Sequence, residues 1–152
     1  MTVIAVRVET GPFDVAAEIA KLKQLTAVGA VVTFTGVCRD DGGRLAALEL
    51  EHYPGMAEAE IERIAAEAAS RWPLAGISVV HRHGKIAVGD DIVLVATASS
   101  HREAAFASAN FLMDYLKTHA PFWKKEHLAD AGSGNWVASK ETDDTAADRW
   151  RR

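Results

Sequence analysis

The sequence predicts an α+β domain, a mostly antiparallel sheet covered by helices. Two observations predict it. Strand-length apolar or alternating runs are interrupted by three longer segments whose apolar residues recur every three or four positions. Their order, β-α-β-β-α-β-β-α-β-β, sets strands beside strands more often than a parallel sheet would. The chain has 152 residues, 49% of them hydrophobic and 25% charged, the size and balance of one globular domain. Residues 1–140 read as that domain and 141–152 as a polar tail.

The first element, residues 3–9, alternates apolar and polar and reads as a half-buried strand. Gly11-Pro12 breaks it, and Asp14 caps a helix to about residue 25 with Val15, Ile19, Leu22 and Leu25 on one face. Residues 29–37 are β-branched and almost continuously apolar, the pattern of a central strand buried on both sides. Asp40-Asp41-Gly42-Gly43 is a turn, so residues 45–53 return as the second strand of an expected hairpin. Pro54-Gly55 precedes a helix over 56–72 that places Ile61, Ile64, Ala65, Ala68 and Trp72 together, and Pro73 stops it. Residues 77–83 and 91–99 read as two strands joined through Gly84 and Gly89-Asp90. The third helix runs from about 101 to 119 and ends before Pro121. Short strands at 122–128 and 135–139 flank a Gly/Ser loop.

Charge narrows the function classes. A formal charge of −4, from 17 Lys+Arg against 21 Asp+Glu, argues against a general nucleic-acid binder or a polybasic membrane anchor. No apolar run reaches the length of a membrane span, and residues 1–9 lack a basic start followed by an apolar core. The expectation is a cytoplasmic protein. One cysteine, Cys38, allows neither an intrachain disulfide nor a Cys-based zinc site. Locally the balance reverses: residues 101–127 hold four Lys+Arg, three Asp+Glu and three of the six His.

Several residues stand where chemistry is done. At Ser99-Ser100-His101-Arg102-Glu103 a helix begins; Ser100 with Glu103 forms a capping box, and free N–H groups with His101 and Arg102 favour an anion. The alternative is that Arg102 faces solvent or pairs with Glu103. Lys117 lies in a last helical turn, where a lysine complements the dipole. Lys124 and Lys125 follow Phe122-Trp123, an apolar pair able to desolvate an ammonium and make it a nucleophile or base; edge-strand lysines are the alternative. Gly36-Val37-Cys38-Arg39 ends the expected central strand; Arg39 suits phosphate or an ion pair with Asp40 or Asp41, while Cys38 reads as a small core residue. His81 and His83 alternate along a strand with no completing ligand, and read as surface or interface histidines. Neither a phosphate-binding loop, a dinucleotide fingerprint nor a Gly-x-Ser-x-Gly or His-Glu-x-x-His motif is present. If Arg39, His101, Arg102, Lys117, Lys124 and Lys125 converge, the ligand is small and anionic.

These segments also carry a family resemblance. GAVVTFTGVCRD (29–40), LELEHYPGMAE (48–58), the Gly84 and Gly89-Asp90-Asp91 turns, Ser100-His101-Arg102, and above all MDYLKTHAPFWKKE (113–126) resemble the large, catalytic subunit of molybdopterin synthase. The likeness runs in order from about residue 3 to 150. It implies an α/β hammerhead fold and a sulfurtransferase. That enzyme converts cyclic pyranopterin monophosphate (precursor Z) to molybdopterin by inserting a dithiolene, in molybdenum cofactor biosynthesis. It implies no cofactor or metal on this chain. The implied partner is a small β-grasp sulfur carrier whose C-terminal Gly-Gly ends in a thiocarboxylate, bound to a homodimer within a heterotetramer. Lys117 and Lys124 match the family's essential lysines. Arg39, His101 and Arg102 match its phosphate and pterin contacts, and Val37, Cys38, Lys125 and Glu126 fall in pocket-lining stretches. Lys140 stands where an arginine is common. The competing class is a non-catalytic α+β module that binds a phosphorylated metabolite, which leaves the two lysines around Ala120-Pro121-Phe122-Trp123 unexplained.

Overall fold

The computed structural model describes residues 1–129, the backbone of 133–137, and Trp150. The elements are β1 (Val3–Glu9), α1 (Val15–Lys23), β2 (Ala30–Val37), β3 (Leu45–His52), α2 (Met56–Arg71), β4 (Leu74–Arg82), β5 (Gly84–Ala87), β6 (Asp91–Ser99), α3 (Arg102–Thr118), β7 (Phe122–Leu128) and β8 (Ser133–Val137). They build two four-stranded sheets, ordered β1-β4-β6-β2 and β5-β3-β7-β8. Only β1 and β4 run parallel; the other pairs are antiparallel. The expected residues 138–139 of the last strand, and the tail apart from Trp150, lie outside the described residues.

Helices cover both faces of the first sheet. On one face α2 and α3 bury Ile61, Ile64, Phe111, Leu112 and Leu116 against Ile77, Val79, Val93 and Val95. On the other, Leu22 of α1 meets Ala96 and Ala98. The period of two along β6 thus sends Val93 and Val95 to one helical layer and Ala96 and Ala98 to the other. Close packing of α1 needs Gly76, where a Cβ would sit 2.6 Å from Leu25 and 2.8 Å from Leu22. Asp14 caps α1 as its sequence predicts, accepting from the Ala17 amide at 3.1 Å.

Three expectations are corrected. The strand at 29–37 is not central: β2 is the edge of its sheet, with Phe34 39% exposed, and β4 and β6 hold the middle. Nor is it buried on both sides, since every residue of β2 is at least partly exposed in the single chain; edge and centre differ in neighbours that an apolar run does not encode. The hairpin of residues 29–37 with 45–53 does not form, because β2 and β3 lie in different sheets. The connection at 38–44 is long enough to change sheets, whereas a two-residue turn would have forced pairing. The capping box on α3 is absent: His101 takes the N-cap position without a side-chain bond, and the Ser100 hydroxyl donates to Ala27 O at 3.0 Å. β5 was hidden in a glycine-flanked connection. Gly84, at φ +84°, turns the chain from β4 of the first sheet straight into β5 of the second.

A candidate active site where the two sheets meet

The sheets join at the end of β4. His81 on β4 stacks on Phe122 of β7, with centroids 3.9 Å apart and planes 12° from parallel. Phe122 also faces His52 of β3 at 5.9 Å, and His52 lies 4.2 Å from His83. His81 is therefore no surface histidine but a buried one, 8% exposed. Its Nδ1 lies 2.8 Å from Arg82 O, a carbonyl to which a neutral ring donates from that nitrogen. Burial above all, then the charges of Lys124, Lys117 and His52, push its pKa down to about 4. Lys117 and Lys124 thus both lie close enough to His81 for their charges to act on it.

Each lysine arrives from a different sheet. α3 packs on the first sheet and runs back along β6, which carries Lys117, in its last turn, to the end where His81 sits. β7 lies inside the second sheet between β3 and β8, so its lysines do not guard an edge. Lys124, opposite Leu50, shares a strand face with Phe122 and Glu126; Lys125, opposite Glu49, points to the other face. There it neighbours His127, whose Nε2 is 2.8 Å from Glu49, and Trp123, which meets Tyr53 edge-on at 5.0 Å. Glu126 is engaged by Arg44 at 2.5 Å, and Arg44 also holds Asp41 at 2.7 Å, so the 41–44 turn is tied to β7.

The Val37–Arg39 segment belongs to the same end of the molecule. Val37 is 47% exposed and Arg39 is exposed. Between them Cys38 is 1% exposed and clusters with Leu50 and Ile86, beneath the site rather than in it. Burial pushes its thiol up. His101 and Arg102 do not join this group. Ala30 pairs with Ser99 at the far end of β2, and β2 spans ~23 Å. Fifteen helical positions separate Arg102 from Lys117, again ~22 Å. That far end is bounded by a groove of Leu25, Ala27, Trp72, Leu74 and Ser100. So one chain brings Lys117 and Lys124 to the end of the first sheet at which Arg39 leaves β2, and holds His101 and Arg102 at the other end. Sequence reasoning missed His52 and His81, although the apolar run leading into His81 was a signal of its burial.

The MoaE protein family model matches residues 8–119. The chain belongs to the MoaE family. A molybdopterin synthase catalytic subunit of Mesorhizobium japonicum is 67% identical over 147 residues, covering 96% of this chain and 92% of that one. The MoaE protein of Burkholderia ambifaria has a solved structure that superposes with a TM-score of 0.82, at 50% identity and 97% coverage of both chains. Molybdopterin synthase of Staphylococcus aureus superposes at 0.76, with 32% identity, over 86% of this chain and 95% of that one. The mixed architecture of MoaE, three helices on antiparallel-dominated sheets, is the α+β fold the sequence predicts. Among the described residues no helix is long and apolar enough to cross a membrane, and no three His, Cys, Asp or Glu side chains are grouped to hold a metal ion.

Proposed function

We propose that the chain is the catalytic large subunit of a molybdopterin synthase, with Lys117 and Lys124 as its catalytic residues. The observation that carries this reading is the 67% identity to a molybdopterin synthase catalytic subunit of a chain in which Lys117 and Lys124, from two sheets, both act by their charge on His81. The reaction turns cyclic pyranopterin monophosphate into molybdopterin, with sulfur from a thiocarboxylated small subunit. The words "catalytic subunit" in the relatives' name support a companion subunit. Two ammonium groups suit this chemistry: they bind a thiocarboxylate tail, neutralise developing negative charge and pass protons as sulfur is transferred. Arg39, exposed just past the end of β2, offers a fork for the substrate's phosphate. The proposal includes a cytoplasmic setting, consistent with the absence of any membrane-spanning helix among the described residues.

His101 and Arg102 enter this reading through dimerisation. One small anion cannot touch both ends of a strand ~23 Å long, so the far cluster of one copy serves the lysine cluster of its partner. Precursor Z and thiocarboxylated small subunit, mixed with the purified chain, test both claims. Lys117→Ala and Lys124→Ala each lose on the order of 100-fold or more in molybdopterin formation while unfolding at the wild-type temperature. Near-normal rates in both variants refute the assignment. Mixing Lys117→Ala with Arg102→Ala subunits restores activity in hybrid dimers, which keep one intact site; no restoration refutes sharing between copies.

A further inference from the structure

The ring column at the sheet junction is the buried polar assembly that the reaction chemistry leaves unexplained. Its members come from both sheets: His81 from β4, Phe122 from β7, His52 from β3. His81 is held on the first sheet by its Nδ1 contact to Arg82 O. Arg82 is itself buried, and its guanidinium donates twice to Thr10 O, at 3.1 and 3.0 Å. Phe122 stands two residues before Lys124, on the same strand face. Lys117 is fixed to the first sheet through α3. The separation of the two lysines therefore depends on the short connection from α3 to β7 and on how the sheets pack, and the stack of His81 on Phe122 is one contact between the sheets, beside the packing of Phe122 on the core of the first sheet.

We propose that His81 is a positioning residue, which by stacking on Phe122 locks β7 against β4 and fixes the spacing of Lys117 and Lys124. The proposal rests on the reading that these lysines do the chemistry. A ring at position 81 must also stay uncharged, since Lys117, Lys124 and His52 all oppose a cation there. An aromatic hydrocarbon meets both demands, so His81→Phe is the conservative replacement. His81→Ala removes the stack, and Phe122→Ala removes it from the other side.

The experiment has two readouts. In the reconstituted synthase, His81→Ala and Phe122→Ala each lower kcat by on the order of 10- to 100-fold with little change in KM. The double variant is no slower than the slower single one, because both remove the same contact, and His81→Phe recovers most of the rate. Full kcat in His81→Ala, additive losses, or a His81→Phe as slow as His81→Ala would each overturn the proposal. The second readout is independent of activity. In a Cys38→Ser background, Lys117→Cys with Lys124→Cys is treated with bis-maleimides of graded length. One narrow range of spacers cross-links the parent and the His81→Phe protein; His81→Ala broadens it. An unchanged range in His81→Ala overturns positioning. If the wild-type chain with precursor Z and thiocarboxylated small subunit makes no molybdopterin, the function reading falls, and the spacer range still decides this proposal.

Discussion

Acidification should destabilise this protein through His81 before its carboxylates titrate. The imidazole has an ordinary value of 6.5 and is pushed down to about 4 in the fold by burial and by the cations around it. Between those values the unfolded chain binds a proton that the folded chain refuses, so stability falls as the pH drops from 6.5 towards 4 and levels off below. Taking both values at face, the loss between pH 7 and pH 5 is about 2 kcal/mol. For a chain of this size that is about 5 °C in unfolding temperature. His83, also lowered by burial and by His52, and Glu18, lowered through Arg7 and Ser78, add slopes of their own. The comparison is therefore wild type against His81→Phe, by urea unfolding at pH 7, 6 and 5. The difference between the two proteins should shift by about 2 kcal/mol across that range in favour of the variant. A constant difference would mean that the folded site accepts the proton, and that His81 is not confined as described.

Two further expectations concern residues away from the lysines. Trp150 packs edge-on against Trp72 at 5.8 Å and Phe111 at 5.6 Å, donates its indole N–H to Asp114, and accepts from Arg71 at its carbonyl. Being half-buried, it should cost about 2 kcal/mol when replaced by alanine, read as a drop of about 5 °C in thermal unfolding; an unchanged transition would remove its role as a staple on α2 and α3. Cys38 should resist Ellman's reagent in the native protein and react fully in denaturant, and Cys38→Ser should keep its catalytic rate while losing about 1 kcal/mol for the buried hydroxyl. A folded but inactive Cys38→Ser would show that the thiol takes part.

How much the sequence foretold differs by level. Local chemistry is written locally, so the Asp14 cap, the end of α3 before Pro121 and the amphipathic faces of α2 were all legible. The partition into two sheets was not. β2 and β6 are both rich in apolar and β-branched residues, yet β6 is clamped between helical layers while β2 lies at the rim. Periodicity states which faces of a strand are buried, not which strand lies alongside. The same gap explains the histidines: His81 and His83 look like an exposed alternating pair until β4 is known to run into a second sheet at Gly84. It explains the cations too. Whether the six candidate groups converge was not written in the sequence, and within one copy the length of β2 separates His101 and Arg102 from Lys117 and Lys124.

Strand alternation also puts the two adjacent lysines on opposite faces of β7, so the proposed role of Lys124 depends on register. A one-residue slip of β7 against β3 would exchange Lys124 for Lys125 on the inner face. Three contacts oppose that slip. Phe122 must meet His81, Glu126 must reach Arg44, and on the far face His127 must reach Glu49. All three depend on the parity of the register, and they stand at both ends of the strand on both its faces. Exposed ion pairs contribute little stability singly, so the value of Arg44–Glu126 and His127–Glu49 lies in the register they select. On the proposed reading of the lysines, Glu126, expected as a pocket residue, serves the reaction by holding the register that keeps Lys124 on the side of Lys117.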